Sequence, residues 1–454
     1  MGARGVRARG HGQALRAAAA WVGCVLAGGC AIWGKRAAPT DPLAPPEARQ
    51  VSFHGWRSCW RLDNGLVRAT VVPQVGGRTL EFALGAYNFL FIGRGELGTT
   101  HAEAPDKGYR HFGGQFAQLH PEERWVRLQS TYPPALFMGN YDSRLLPPQD
   151  GRAAVELTGP PDLATGTRLV RRVELDAGST HLRITDTVTN IRHVAQDWGI
   201  QAMLQLKGVP EPSGVLRGHE RPTGAIALYA PLNPKSRFRG GVSFAGAGEA
   251  HPGAEGSWST RDLPGILSLR YRRQLGKALL DPALPWVAFV DHSTGYVLVQ
   301  KCAAPEKVLL SAGGLMGRYP FVEVQCLGKI ESLAPGQSTT LVQDWFAACC
   351  GGAVVDVRSA GVVASPLSLL RGEGKTWVAG RFGVFYLGRA AVVFRGADGR
   401  ELGRLDCGPV TPLERFAINR AVEVPAGAAE VLLEVADAAG RPVGDLGRIA
   451  LKPQ

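Results

Sequence analysis

The sequence has no cysteine and histidine spacing of the kind that holds a structural metal. No two of its eight cysteines are separated by two residues, and no histidine lies at zinc-finger spacing from them. Lysine and arginine do not form a stretch interleaved with aromatic residues, and no helix-turn-helix pattern is present. We therefore expect no metal, no cofactor and no nucleic-acid partner.

The N-terminal region also lacks an apolar run long enough for a transmembrane helix. Its apolar run, residues 17–29, is well short of the roughly 20 residues that such a helix needs. It follows Arg4, Arg7, Arg9 and Arg16 with no acidic residue between them. This pattern is typical of a secretory signal peptide, so we expect residues 1–29 to be removed and the mature protein to be exported.

The apolar run ends in LAGGC at residues 26–30, which resembles the lipobox of bacterial lipoproteins. The resemblance implies a lipidated Cys30 and a protein anchored to a membrane of the cell envelope, facing the periplasm or the exterior. A signal peptide cleaved near residues 31–38 without lipidation is the alternative. Residues 30–50, rich in proline and alanine, are expected to be a linker.

The charge of the chain is strongly basic. The formal net charge is +12, and removal of residues 1–29, which hold four arginines and no acid, leaves +8. A basic surface favours acidic polysaccharides or anionic lipid headgroups as partners.

Helical spacing is scarce, whereas short strand patterns recur between turn residues. With 59 glycines and 31 prolines, this composition predicts a mostly β protein. The mature chain is too long for one core, so we expect a large domain at residues 51–350 and a small β-sandwich domain at 353–454. The strand candidates of the large domain are residues 153–157, 168–175, 181–188, 199–206, 266–271, 286–290, 296–300, 307–311 and 339–345.

Residues 63–90, DNGLVRATVVPQVGGRTLEFALGAYNFL, indicate two strands joined by a turn at Gly76-Gly77. This stretch resembles the opening strands of galactose mutarotase-like domains, most closely the bacterial domain of unknown function 4380. The resemblance covers about residues 51–348. It implies a large antiparallel galactose mutarotase-like β-supersandwich, followed by a small immunoglobulin-like β-sandwich.

A strand at residues 321–326 carries polar residues at alternate positions. Glu323 and Gln325 share one face, while Val322, Val324 and Cys326 share the other. The apolar face predicts core, so the polar pair faces away from it. The strand resembles the Glu-x-Gln strand of aldose mutarotases, which implies Glu323 as a catalytic base. A solvent-facing pair without a role is the alternative.

The resemblance also implies histidines facing the base. Residues 109–115, YRHFGGQ, are similar to the first histidine segment of that family, which makes His111 the candidate, with His120 as a rival. No histidine stands at the second position, where Gln201 and Gln205 lie instead. Glutamine can hydrogen-bond a hydroxyl but cannot donate a proton as imidazolium does, so ordinary mutarotation is in doubt.

Carbohydrates are bound by planar polar side chains and by aromatic faces. Tryptophans in apolar strand contexts, Trp56, Trp60, Trp198 and Trp345, are instead expected in the core. The segment at residues 124–144 resembles the loop over the mutarotase cleft, or is a packed surface loop. With Glu323 and His111 as catalytic candidates, the substrate-binding candidates are Arg78, Gln115, Trp125, Tyr141, Gln205, Tyr319 and Gln325.

Three functions are compatible with these patterns. The first is a lipid-anchored carbohydrate-binding protein on a mutarotase-like scaffold. The second is an active aldose epimerase, mutarotase or other carbohydrate-active enzyme that uses Glu323 as its base. The third is an envelope structural or interaction protein with a vestigial cleft.

Overall fold

A computed structural model describes residues 44–103, 110–127, 133–245, 258–272, 275–312, 319–372 and 374–451. The predicted signal peptide and the predicted lipidation residue Cys30 lie outside these ranges. Within the described part of the chain, the helices are too short to cross a bilayer.

The large domain is built almost entirely of strands, as the sequence predicted. Some strands, such as Leu182–Asn190 and Lys307–Ala312, alternate between buried and more exposed positions, whereas others, such as Arg78–Leu84 and Trp286–Asp291, are buried at every position. Two short helices, α1 (Glu122–Arg127) and α2 (Pro134–Met138), interrupt them. The strands, in chain order, are β1 (Glu47–Phe53), β2 (Trp56–Asp63), β3 (Val67–Val72), β4 (Arg78–Leu84), β5 (Tyr87–Asn88), β6 (Ile92–Gly93), β7 (Gly114–His120), β8 (Asp142–Gln149), β9 (Arg152–Thr158), β10 (Thr167–Asp176), β11 (Leu182–Asn190), β12 (Gln196–Lys207), β13 (Val215–Leu216), β14 (Ile226–Pro231), β15 (Ser243–Ala245), β16 (Trp258–Leu263), β17 (Ile266–Arg270), β18 (Leu275–Leu280), β19 (Trp286–Asp291), β20 (Tyr296–Cys302), β21 (Lys307–Ala312), β22 (Phe321–Leu327), β23 (Glu331–Leu333) and β24 (Ser338–Cys349).

Most of these strands form two sheets. A twelve-stranded sheet has the order β1-β2-β3-β4-β7-β12-β22-β21-β18-β15, with β5 added to β4 and β23 added to β12. A ten-stranded sheet has the order β16-β17-β14-β19-β20-β24-β11-β10-β9-β8. We call the side of the twelve-stranded sheet that is turned away from the ten-stranded sheet its outer face.

The two sheets pack face to face around one apolar core. Phe82 of β4 meets Trp345 of β24 edge to face, with ring centroids 5.6 Å apart. Trp198 is fully buried in the same core, and Trp56 is nearly so, as predicted for both. Trp60 is only partly buried and lies at the margin of the core.

The turn at Gly76-Gly77 is held by close packing. Gly76 and Gly77 have φ angles of +78° and +60°, which favour glycine. A Cβ atom on Gly76 would lie 2.2 Å from the carbonyl oxygen of Phe137, so α2 packs directly against the turn. The turn that the sequence predicted is therefore also a contact surface for α2.

The C-terminal residues form a second, smaller sandwich, as predicted. Its two four-stranded sheets have the orders β25-β26-β27-β30 and β29-β28-β31-β32, with a core of their own that includes Phe382 and Val392. The strands are β25 (Asp356–Val357), β26 (Gly361–Gly372), β27 (Lys375–Val384), β28 (Gly388–Gly396), β29 (Glu401–Val410), β30 (Phe416–Val422), β31 (Ala428–Asp437) and β32 (Pro442–Ala450).

The two sandwiches share an apolar junction. Phe346 of β24 stacks on Phe385 with ring centroids 4.6 Å apart. The backbone N–H of Thr180 also donates to the carbonyl oxygen of Phe385 at 2.8 Å. At the other end of the chain, β1 begins at Glu47, inside the predicted linker at residues 30–50. That residues 353–454 fold independently stays a prediction.

Candidate functional site

A row of polar side chains crosses the outer face where β12 and β22 pair. In this antiparallel pair Gln205 lies opposite Glu323, and Met203 lies opposite Gln325. The intervening residues Val324 and Leu204 point into the core between the sheets. Glu323 and Gln325 therefore face away from the core, as the strand alternation predicted.

Four of these side chains form a connected hydrogen-bonded group, which we call the glutamine row: Gln201, Gln205, Glu323 and Gln325. The carboxylate of Glu323 accepts a hydrogen bond from Gln205 Nε2 at 2.9 Å and one from Gln325 Nε2 at 2.5 Å. Gln325 Oε1 in turn accepts from Gln201 Nε2 at 2.6 Å. Two of the three amides therefore donate to the carboxylate, and the third, Gln201, donates to the oxygen of Gln325.

The glutamine row is removed from bulk water although it lies on the outer face. Glu323 is 8% exposed, and Gln205, at 2%, is buried more deeply. Burial raises the pKa of Glu323, and the amide hydrogen bonds offset only part of this effect. Among the described residues, both hydrogen bonds to the carboxylate come from neutral groups. Within the described residues, Glu323 thus has no cation in contact, although the charge of Lys277 also acts to lower its pKa.

Gln205 has a free acceptor at the site. Its Nε2 must face Glu323, because an amide oxygen there would be repelled by the carboxylate. Its Oε1 therefore points elsewhere, and it is buried without a hydrogen-bond partner in the structure. A buried acceptor left unpaired costs about 1 to 3 kcal/mol. The site would gain stability from a group that donates a hydrogen bond to Gln205.

The candidate acid His111 lies near one end of the glutamine row, separated from it by aromatic rings. The centroids of the His111 and Tyr319 rings are 5.6 Å apart. Phe91 contacts both Tyr319 and Phe321, with centroid distances of 5.4 and 5.0 Å. Because Phe321 precedes Glu323 by two residues on the same face of β22, Tyr319 and His111 border the site.

Arg78 and Gln115, two predicted sugar-binding residues, are fully buried in the structure. The guanidinium of Arg78 lies 3.7 Å from the centroid of the Phe116 ring and donates to the carbonyl oxygen of Gly113 at 3.0 Å. Gln115 Oε1 accepts a hydrogen bond from Arg171, which belongs to the ten-stranded sheet. In this conformation both side chains stabilise the strands beneath the site and are not exposed at its surface.

Trp125, which precedes α2 in the chain, and Tyr141, which follows it, are also buried. Trp125 Nε1 donates to the carbonyl oxygen of Leu119 at 3.0 Å, and the Tyr141 hydroxyl donates to that of Leu136 at 2.8 Å. The described part of the predicted loop at residues 124–144 is thus a packed layer beside β7. Whether these residues contact a ligand stays a prediction.

Gln118 was missed by the sequence analysis, although it lies next to the glutamine row. It is opposite Gln201 in the pairing of β7 with β12, and its Nε2 donates to Glu122 Oε1 at 2.9 Å. The rival histidine, His120, lies further along β7, where Nε2 is 2.7 Å from the carbonyl oxygen of Gly328. Gln118 could have been predicted from the alternation of side chains between the two faces of β7.

Within the described ranges, no group of three or more acidic, histidine or cysteine side chains could hold a metal ion. The side chains of the glutamine row can accept hydrogen bonds, donate them through amides and exchange a proton at Glu323.

Comparison with known proteins gives matches in fold only. No protein-family model and no curated protein matches the chain. A galactose mutarotase-like protein from Clostridium acetobutylicum is 11% identical, with a TM-score of 0.45 and coverage of 67% of this chain and 99% of its own. A galactose mutarotase-like protein from Lactobacillus casei is 12% identical, with a TM-score of 0.40 and coverage of 66% and 100%. A TPR-domain containing protein from Parabacteroides distasonis is 15% identical, with a TM-score of 0.43 and coverage of 64% and 46%. Similarity at this level says nothing about a substrate or a reaction.

Proposed function

We propose that the chain is a carbohydrate-binding protein that binds a sugar over the glutamine row. The observation that carries the proposal is the buried carboxylate of Glu323, which within the described residues has no cation in contact and lies beside the unpaired Oε1 of Gln205. Natural proteins rarely keep such groups unless something else uses them. A ligand that donates hydrogen bonds to both residues would remove the cost of burying them.

The chemistry of the row restricts the ligand. Its open groups are acceptors, so the ligand has to donate hydrogen bonds, which the hydroxyl groups of a sugar do. An anionic group at this point would be repelled by Glu323. The basic net charge of the whole chain therefore does not predict which ligand binds at this site. A neutral sugar fits the site better than an acidic one.

A binding experiment tests this proposal. The mature protein is titrated by calorimetry with glucose, galactose, mannose, N-acetylglucosamine and galacturonate. We expect at least one neutral sugar to bind more tightly than galacturonate, and Glu323→Gln to weaken that binding roughly tenfold, about 1.4 kcal/mol, because the charge-assisted hydrogen bond is lost. Absence of binding by every sugar would favour a structural or interaction role in the envelope instead.

An aldose epimerase activity is the second candidate, and the raised pKa of Glu323 favours it. A carboxylate whose pKa is raised is a stronger base, which suits removal of the proton from an anomeric hydroxyl. The acid partner in this reaction would be His111. The measurement is anomer exchange of the bound sugar by NMR. If the chain is an epimerase, Glu323→Gln abolishes exchange but spares much of the affinity, because a base acts mainly in the transition state.

We also propose that the protein is exported and anchored through Cys30. The proposal rests on the N-terminal sequence alone. In a bacterial host, Cys30→Ser is expected to release the protein from the membrane fraction or to leave the precursor unprocessed. Wild-type protein that is found free in the periplasmic fraction would contradict the anchor but not the sugar site.

A further inference from the structure

A cleft lies at the junction of the two sandwiches, and no residue of the glutamine row lines it. Three turns line it: residues 150–151 between β8 and β9, residues 177–179 between β10 and β11, and residues 438–441 between β31 and β32. Tyr386, between β27 and β28, also lines the cleft. Its volume is about 740 Å³, within the range of roughly 300 to 1,000 Å³ that ligand sites occupy.

The turns that line the cleft are fixed by hydrogen bonds. The N–H of Ala177 donates to the carbonyl oxygen of Gly151 at 3.2 Å, and that of Leu387 donates to Gly178 at 3.0 Å. In the third turn, Asp437 Oδ1 accepts from the N–H groups of Ala439 and Arg441, both at 2.9 Å. The cleft is therefore largely preformed, and a ligand would lose little free energy in ordering it.

The charged groups of the cleft are arranged as pairs. Arg152 Nε donates to Asp176 Oδ1 at 2.6 Å, and Arg441 Nε donates to Asp437 Oδ2 at 2.9 Å. Each guanidinium has five N–H donors, so Arg152 and Arg441, which line the cleft, keep donors beyond these contacts. The hydroxyl groups of a sugar can accept hydrogen bonds from them. Tyr386 adds an aromatic ring, against which the C–H face of a sugar can pack.

The cleft continues along the surface of the ten-stranded sheet. A second cavity of about 160 Å³ shares Asp150 and Arg152 with the first. It contains another pair of the same kind, in which Arg172 Nη2 donates to Glu174 Oε1 at 2.9 Å. Together the two cavities form a groove that suits an elongated ligand with repeated hydroxyl pairs.

We propose that this groove binds a neutral oligosaccharide chain, as a site separate from the glutamine row. The cleft has no surplus of positive charge to attract an anionic chain, because the carboxylates of Asp150, Asp176 and Asp437 lie beside the guanidinium groups of Arg152 and Arg441, and His181 also contacts Asp176. Each guanidinium is already paired with a carboxylate. The proposal does not depend on the function of Glu323, which lies on the outer face of the other sheet.

The test is calorimetric titration of the mature protein with cellohexaose, xylohexaose, maltohexaose and chitohexaose in its N-acetylated form, and with hexagalacturonate as the anionic probe. We expect at least one neutral hexasaccharide to bind. Arg441→Ala and Tyr386→Ala should each weaken this binding fivefold or more. The Arg441 side chain is 75% exposed, so its removal leaves the fold intact even if Tyr386→Ala does not fold.

A control variant separates the groove from other exposed aromatic surface. Trp377→Ala removes an exposed aromatic ring elsewhere on the small sandwich. This change should leave the affinity for the hexasaccharide unaltered. The proposal is overturned if no neutral hexasaccharide binds, if Arg441→Ala leaves the affinity unchanged, or if hexagalacturonate binds more tightly than every neutral probe. None of these results would contradict the separate proposal that a monosaccharide binds over the glutamine row, which is tested by the effect of Glu323→Gln on monosaccharide affinity.

Discussion

Two buried carboxylates of the large domain, Asp186 and Glu323, differ in the groups that contact them. Asp186 lies between the sheets, where Oδ1 accepts from Arg171 Nε at 2.8 Å and Oδ2 accepts from Gln343 Nε2 at 3.3 Å. Glu323 lies on the outer face and accepts only from amides. Burial raises the pKa of both groups. Only Asp186 has a cation in contact.

The presence or absence of a contacting cation suggests different roles for Asp186 and Glu323. The Arg171 guanidinium also donates to the carbonyl oxygen of Gly77 at 3.0 Å, so the pair ties the ten-stranded sheet to the Gly76-Gly77 turn. Its charges are matched inside the protein. Among the described residues, Glu323 has no cation in contact, with Lys277 acting only from beyond contact distance, and the adjacent Gln205 keeps an open acceptor. We infer that a buried group left unmatched by the fold is matched by a ligand.

The largest effect is expected at the matched pair. Asp186→Ala leaves the Arg171 charge buried and unpaired, so it should lower the free energy of unfolding by about 3 to 5 kcal/mol. Urea denaturation measures this loss. The control is the double variant Asp186→Leu with Arg171→Met, which removes both charges and should lose much less. Equal losses in the single and double variants would mean that packing, and not charge, holds this region.

An intermediate effect is expected on the core side of the glutamine row. Val324→Ala removes two methyl groups from the core and should lower stability by about 1 to 3 kcal/mol. Because Val324 points away from the outer face, sugar affinity should stay unchanged. The same protein preparation serves for denaturation and for calorimetry. A loss of affinity without a loss of stability would show that the two faces of β22 have been assigned the wrong way round.

A smaller effect is expected with pH at the surface of the ten-stranded sheet. Burial alone would lower the pKa of His181, but the carboxylates of Asp176 and Asp344, each 2.7 Å from a ring nitrogen, outweigh it and raise the pKa. The stabilisation is therefore fully present below pH 6.5, the ordinary value, and is lost as pH rises through the raised pKa. Thermal unfolding from pH 5 to 9 should show this loss, and His181→Gln should remove it.

The smallest effect on stability is expected at Glu323 itself. A raised carboxyl pKa means that the ionised group opposes folding at neutral pH. Glu323→Gln removes the charge and keeps the shape, so the urea midpoint at pH 7 should stay equal or rise slightly. A clear fall in the midpoint would place Glu323 with Asp186 among the structural groups.

The strands with a clear local pattern of apolar and polar residues were predictable from the sequence. Residues 168–175 and 307–311 were predicted, and the structure has β10 at Thr167–Asp176 and β21 at Lys307–Ala312. The polar face of β22 followed from the same rule. These features need only the order of apolar and polar residues along one strand.

The composition of the site was harder to predict because it depends on distant pairing. Gln205 and Glu323 are 118 residues apart and meet only because β12 and β22 are neighbours. Gln115 was predicted as a binding residue and Gln118 was not considered, but the pairing of β7 with β12 turns Gln118 outward and Gln115 into the core. Tyr141 was expected at the cleft, but it is buried by the packing of α2 against Gly76, which no local pattern encodes.

The most direct test of the unmatched charge is the pKa of the Glu323 carboxyl, measured by NMR on protein with carbon-13 in its glutamate side chains. Glu323→Gln identifies the signal by its absence. We expect the pKa to lie above its ordinary value without ligand, and to fall when a neutral sugar is bound, because new donors stabilise the carboxylate. A pKa that stays unchanged when that sugar saturates the protein would contradict a sugar site over the glutamine row.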